Sequence, residues 1–316
     1  MGGLGVKFPE VAIIVVNWNR VQDVLECLDS VKKIQYPNFQ VIVVDNASSD
    51  GSVAAIRQKF PEVCLIESKE NMGFVEGNNI GLKTAAAQGA AYALLLNNDT
   101  LVAPDFLGCL IDVAESDPKI AVVGPTIYYA GSAGHPVEGS PNIVWSAGGA
   151  IDRKRGTTRM LGLDEDDSGQ FGQQPRLVDF VTGCALLVKM AVLAETGLLD
   201  ARFFAYYEET EWCVRIRSKG YHILHVPGSK IWHKIARDER SASANVRYYM
   251  TRNRLLFLQL SGAAWQSWVH VLIFEYLRTL LAWQIGPKWR DKKEMAQVMR
   301  QGVGDYFSGK FGKREG

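Results

Sequence analysis

The chain has 316 residues, with 35 Lys and Arg against 34 Asp and Glu, a formal charge of +1. That balance gives no global reason to bind nucleic acid, and 47% hydrophobic with 22% charged residues describes a globular protein with a sizeable core. Five widely spaced cysteines without a CxxC argue against a disulfide framework or structural zinc and fit a reducing cytoplasm. No signal peptide is visible in residues 1–10, and the length allows one large domain with an extension, or two domains.

In chain order, Val11–Val16 is a β-rich apolar run ending in Asn17-Trp18-Asn19-Arg20, and residues 21–33 place apolar side chains at helical spacing. Val41–Val44 is a second buried strand, ended by Asp45-Asn46; the turn Ser48–Ser52 caps a helix over 52–60. Val63–Ile66 is a short strand. A Gly/Asn-rich loop, Asn71–Asn79, leads into a helix from Ile80 to Gln88. Ala91–Leu96 is a strand running into Asn97-Asn98-Asp99. A helix over Asp105–Glu115 and a fifth strand, Ile120–Val123, follow.

Apolar runs alternating with helices predict βαβ units and a mostly parallel sheet covered on both faces. Three of these strands end in Asn- and Asp-rich clusters, at 17–20, 45–52 and 97–100. Ligands bind outside the carboxyl ends of such strands, so the clusters are read as one ligand edge. Oxygen donors there suit a hard divalent cation. Asn and Asp are also ordinary turn residues, so NNDT taken singly is equally a polar turn.

Residues 125–175 read as a long excursion with a hairpin near Ile143–Ile151; the acidic run Asp164–Asp167 reads as a solvated loop. Leu177–Val188 is strand-like, residues 190–196 form a short helix, and Glu208–Lys219 is a helix ended by Gly220. Its acidic start and basic end suit the helix dipole, and Glu211 with Arg215 makes an i,i+4 pair. Glu208 and Glu209 follow an aromatic stretch, where burial raises a carboxyl pKa. Tyr221–Val226 and Lys230–His233 read as two strands. Histidines 135, 222, 225 and 270 have nothing nearby to suggest a ligand. Lys230 to Arg254 holds seven Lys/Arg against two acids, either a solvated face or a segment facing phosphate.

Residues 263–285 are long and apolar enough to span a bilayer but contain His270, Glu275 and Arg278, whose cost argues against spanning. Packing on the main domain, a homodimer contact and a peripheral membrane contact remain open. Eight basic and four acidic residues in the tail, 287–316, favour an anionic surface.

Taken together, VVNWNR (15–20), VVDNASSDGS (43–52), NMGFVEGNN (71–79), LLNNDT (95–100), TGCALLVK (182–189), FFAYYEETEWCVRIRSKG (203–220) and IWHK (231–234) form an ordered set. The chain resembles the family 2 glycosyltransferases of the nucleotide-diphospho-sugar transferase fold (GT-A), in particular rhamnosyltransferase-like bacterial members, over about residues 10–255. The resemblance implies an α/β fold with a mostly parallel central sheet flanked by helices. It divides residues 1–240 into a nucleotide half (about 10–124) and an acceptor half (about 125–240), with a helical C-terminal extension at 241–316. It places Val16, Asn17, Trp18, Asp45, Gly73 and Asn78 around the nucleotide. Asn97, Asn98 and Asp99 occupy the family's DxD motif, and His233 completes a metal site for Mg²⁺ or Mn²⁺. Glu209 takes the position of the catalytic base, with Glu208 as second choice.

Two positions depart from that pattern. Asn97 stands where the first Asp is expected, so Asp99 is the principal metal ligand, and Asn97 and Asn98 contact the donor. Glu209 stands where Asp is usual and keeps the acid–base function with one more methylene. The implied reaction is inverting transfer from a nucleoside-diphosphate sugar to a hydroxyl of a glycan or lipid-linked acceptor in cell-surface polysaccharide synthesis, in the cytoplasm or at the inner face of the membrane. The donor is dTDP-rhamnose-like first and a UDP-sugar second. A nucleotidyltransferase on a similar sheet would carry a Gly-rich basic loop after the first strand, which NWNR lacks. A non-catalytic sugar-nucleotide-binding protein is the other alternative.

Overall fold

The structure is a computed structural model that describes residues 8–131, 142–235, 243–285 and 292–315. The first half alternates as expected: β1 (Val11–Asn17), α1 (Val21–Val31), β2 (Phe39–Asp45), α2 (Ser52–Lys59), β3 (Cys64–Glu67), α3 (Gly73–Ala87) and β4 (Tyr92–Asn97). Then come β5 (Thr100–Val102), α4 (Phe106–Ser116), β6 (Ile120–Tyr129), β7 (Val144–Ser146), β8 (Gly149–Asp152), β9 (Thr157–Met160), β10 (Arg176–Leu177) and β11 (Ala185–Lys189). After a 3₁₀ turn, Met190–Val192, follow α5 (Leu193–Thr196), α6 (Glu208–Ser218) and β12 (His222–His233). The C-terminal part is α7 (Ala244–Leu260), α8 (Trp265–Val269), a π-helical stretch His270–Leu277, α9 (Arg278–Ile285) and α10 (Lys293–Phe307).

The main sheet runs β10-β12-β6-β11-β4-β1-β2-β3, with β5 on β12 and β7 on β6. The long ladders β1–β2, β1–β4, β2–β3 and β6–β12 are parallel, while β11 runs antiparallel between β4 and β6. Alternate side chains along β1 feed two cores. Val11, Ile13 and Val15 pack with α1, α2 and α4; Ala12 and Ile14 pack with α3, α6 and α7. Both faces are therefore covered, which explains why the strands are apolar throughout. Leu256 and Phe257 of α7 belong to the second core, whereas Leu255 and Leu258 belong to a third with Val271, Tyr276 and Met299. One helix thus ties the C-terminal helices to the sheet.

Several boundaries differ from the expectation, for tertiary reasons. The helix expected from Ile80 begins at Gly73. Gly77, which reads as loop, and Gly81, inside the expected helix, are contact points: a Cβ on Gly77 would stand 2.7 Å from Val16 Cγ1, and one on Gly81 2.3 Å from Ile14 Cγ2. They let α3 approach β1 closely. The hairpin is β8–β9, later than Ile143–Ile151, because Val144–Ser146 pairs with β6 instead. The two expected strands at 221–226 and 230–233 are one, β12, with a register shift between Val226 and Lys230. Thr100–Val102, not foreseen as a strand, pairs with the end of β12 and proves important below.

Candidate active site

The sheet edge predicted from the polar clusters exists. In the parallel register Asn17 lies opposite Asp45, and Val16 opposite Asn97. Asn17 is fully buried and knots the three strand ends together. Its Nδ2 donates to Asp45 Oδ2 (3.0 Å), and its Oδ1 accepts from Asn98 Nδ2 (2.8 Å). Asp45 Oδ1 accepts from the Ser48 amide at 2.8 Å. Trp18 stands at the rim, 53% exposed. Gly73, at φ +82°, accepts at its carbonyl from Asn46 Nδ2 (2.9 Å). Asn78 is buried and turned along its own helix, donating to the Phe74 carbonyl at 2.9 Å.

Next to this edge, the β5–β12 ladder pairs Thr100 with His233 and so sets Asp99 beside the imidazole. Asp99 Oδ1 lies 3.1 Å from His233 Nε2, without hydrogen-bond alignment; Oδ1 and His233 Nδ1 are buried and carry no hydrogen bond among the described residues. Burial works to raise the Asp99 carboxyl, but His233 outweighs it and holds the group below the usual carboxylate range. Burial opposes the imidazolium, but Cys184 and Asp99 lift His233 well above its ordinary value. Of those two the carboxylate is the charged one, since burial pushes the Cys184 thiol up.

Once His233 gives up its proton, as a metal ligand must, this pair fits a divalent cation. Octahedral Mg²⁺ with bonds of about 2.1 Å puts neighbouring ligands roughly 3 Å apart. Asp99 Oδ1 and His233 Nε2 already have that spacing. Among the described residues no group of three or more His, Cys, Asp or Glu gathers. A cation held by these two residues would take its other ligands from water or a bound molecule, as is usual for Mg²⁺.

The carboxylates come from the start of α6. Glu208 and Glu209 are 4% and 9% exposed. Burial raises both carboxyls, Glu208 further because the Glu209 charge adds to it. Backbone N–H groups, Gly183 among them, donate to Glu209 and moderate its rise, whereas Glu208 Oε2 has no partner among the described residues. Glu208 is therefore the harder of the two to ionise. Gly183 touches Glu209 and its neighbour Cys184 touches His233, so consecutive residues join the two halves. Asp99, His233, Glu208 and Glu209, with Asn97 and Arg159, line one cavity of about 690 Å³.

The backbone before α6 is strained. Phe204, Tyr206 and Tyr207 have φ of +65°, +71° and +75°, which side-chain-bearing residues rarely adopt. Two buried residues of α7 hold it. Asn253 Nδ2 donates to the carbonyls of Phe203 (2.8 Å), Ala205 (2.7 Å) and Tyr206 (2.9 Å). Arg252 Nη2 donates to those of Arg202 and Phe203, at 3.2 and 3.1 Å.

The basic segment is thereby corrected. Lys234 pairs with Asp23 and Glu26, Arg254 pairs with Glu275, Arg247 stacks on Trp283, and Arg252 is a backbone clamp. Lys230 is exposed, and Arg237, Arg240 and His135 lie outside the described residues. No signal in a charge count separates a clamp from a phosphate ligand; only the buried carbonyls facing Arg252 and Asn253 do. Glu211 is structural as expected, bonded to Arg215. So is His225, which bonds Thr126 and which burial, with Arg176 nearby, pushes down to about 3. In the acidic run, Asp164 and Asp167 accept from the Tyr129 and Tyr128 hydroxyls.

A sheet with this order, with a polar edge at its strand ends and Asn97, Asp99 and the buried carboxylates on one cavity, is the architecture of GT-A transferases. The mannosyltransferase PcManGT from Pyrobaculum calidifontis, solved with GDP-Man and Mn²⁺, superposes with a TM-score of 0.57 over 96% of this chain and 89% of that one, at 15% identity. Residues 12–192 match glycosyl transferase family 2, and the chain belongs to that family. Among its relatives, the dTDP-rhamnosyl transferase RfbF of Shigella flexneri is 25% identical over 283 residues, 85% of this chain and 86% of that protein. The N-acetylglucosaminyl-diphospho-decaprenol L-rhamnosyltransferase of Mycobacterium tuberculosis is 23% identical over 244 residues, 71% and 76%.

Proposed function

We propose that the protein is an inverting, metal-dependent glycosyltransferase, with a dTDP-rhamnose-like donor and a glycan or lipid-linked acceptor. A UDP-sugar is the second choice of donor. The observation that carries this is the cavity in which the Asp99–His233 pair and the Glu208–Glu209 pair face the same space. The family membership supports the reaction class. The rhamnosyl names of two relatives support the sugar, and the decaprenol in one of them supports a lipid-linked acceptor.

Asn17, Asp45 and Asn98 form a pre-set polar edge for the nucleoside, with Trp18 at its rim. Val16, Gly73 and Asn78 set the wall behind that edge, Val16 and Gly73 by close packing and Asn78 from inside α3. Asp99 and His233 would hold Mg²⁺ or Mn²⁺, which neutralises the charge developing on the leaving diphosphate. Asn97 offers an amide to the donor. Glu209, ionised and held by backbone amides, takes the proton of the acceptor hydroxyl as that oxygen attacks the anomeric carbon. Glu208 keeps its proton, so two negative charges never crowd the acceptor side. No further carboxylate is assigned as a nucleophile, so a single displacement inverts the configuration.

Calorimetric titration with dTDP and UDP, with and without Mn²⁺, tests the reading, together with turnover of Asp99→Ala and Glu209→Gln. Full turnover by both variants, or nucleotide binding of equal strength without metal, sinks it.

A further inference from the structure

The helical segment from Trp265 to Leu281 carries an apolar face that no described residue covers. Trp265, Val269, Ile273, Phe274, Leu277 and Leu281 are exposed, Trp265 by 70% and Phe274 by 57%. Apart from the adjacent Ile273 and Phe274 they recur every three or four residues, and so share one side of the helix. The other side is committed: Val271 and Tyr276 are buried with Leu255, Leu258 and Met299, and the Tyr276 hydroxyl donates to the Thr251 carbonyl at 3.0 Å.

Charge is sorted the same way. Glu275 is the only carboxylate between Trp265 and Ile285. It turns inward to a two-pronged pair with Arg254, and His270 lies 3.1 Å away. What remains exposed is Arg278 and no acid. The β8–β9 hairpin tip docks beside this face. Ser267 Oγ donates to the carbonyls of Arg153 (2.7 Å) and Lys154 (3.2 Å), and Gly156 fits against Leu258, Ser267 and Val271. Arg153, Lys154 and Arg155 are all exposed there, with Asp152 as the one adjacent carboxylate.

We propose that this face docks onto an anionic lipid bilayer, with the Trp265–Leu281 segment lying in the interface and the Arg153–Arg155 tip against lipid phosphates. Among the described residues no helix is long and apolar enough to cross a membrane, so the segment lies on the surface rather than through it. A bilayer supplies an apolar layer and anionic headgroups side by side, matching an apolar stripe edged by cations. A second copy of the chain would bring only the same cations. The docking goes beyond the transferase reading and is measured without turnover, so the two fail separately.

The test is co-sedimentation of the full chain with vesicles of phosphatidylglycerol and vesicles of phosphatidylcholine. Tight binding to the former, weak binding to the latter and release by salt are expected. The double variant Ile273→Asp, Phe274→Asp changes only exposed side chains and keeps donor hydrolysis, yet loses about tenfold or more in vesicle affinity. Replacing Arg153, Lys154 and Arg155 by Ser costs about fivefold per cation, on phosphatidylglycerol alone. No binding to either vesicle, or equal binding by the double variant, overturns the proposal. A wild-type dimer that the double variant disperses, seen by light scattering, also overturns it, since a second copy would then cover the face.

Discussion

The Asn253 side chain donates to the Tyr206 carbonyl at 2.9 Å, two residues before Glu208. With its bonds to Phe203 and Ala205, one amide nitrogen holds three carbonyls of a loop whose backbone sits at positive φ. The loop that leads into Glu209, the proposed base, is therefore held by a residue more than forty positions downstream. Asn253→Asp keeps the shape but removes the donor, leaving buried carbonyls unpaired at about 1–3 kcal/mol. Expected are a lowered Tm and a fall in kcat larger than any change in KM. A kcat equal to wild type in a folded variant would show that the loop holds itself.

Glu209→Gln should retain donor binding and lose roughly 10²–10⁴-fold in kcat, the usual contribution of a positioned base. The wild-type rate should fall as the pH drops through the Glu209 pKa, which burial sets above the ordinary glutamate value. A rate profile without an acid limb argues against a carboxylate base.

Glu208 affects stability in the opposite sense to a salt-bridged acid. Burial and the Glu209 charge raise its folded pKa. The folded state thus binds its proton more tightly than the unfolded chain, whose glutamates titrate near about 4.3. Stability is lost as pH rises from there toward the folded pKa. Glu208→Gln should raise Tm at neutral pH and leave it unchanged below about pH 4, where both states are protonated. Parallel Tm curves for the two proteins across that range would contradict the burial argument.

Asp99→Asn keeps the side-chain shape and removes the charge. Mn²⁺-dependent nucleotide binding should weaken markedly by calorimetry, while any metal-free binding is unchanged. Equal Mn²⁺ enhancement in both proteins would place the ion elsewhere.

Gly81→Ala should destabilise the fold although Ala is the better helix former by about 1 kcal/mol. The new methyl would stand 2.3 Å from Ile14 Cγ2 in a filled core, and overpacking costs roughly 1–3 kcal/mol. Denaturant unfolding reads the sign directly.

The apolar runs, the polar clusters at their ends and the acidic start of α6 were legible in the chain itself, because alternation of strand and helix is written locally. They located the parallel edge of Asn17, Asp45 and Asn97, and they pointed to Asp99, Glu208 and Glu209; His233 came only from the family resemblance. Tertiary structure alone decided what those residues face. Gly77 reads as loop, and Gly81 as an ordinary helix position, until β1 lies against them. Arg252 and Asn253 read as part of a basic run until buried carbonyls stood opposite. The order in which Glu208 and Glu209 ionise, and the side of the 265–281 helix left bare, depend on burial. Burial is a property of surfaces brought together from distant parts of the chain, and no local pattern records it.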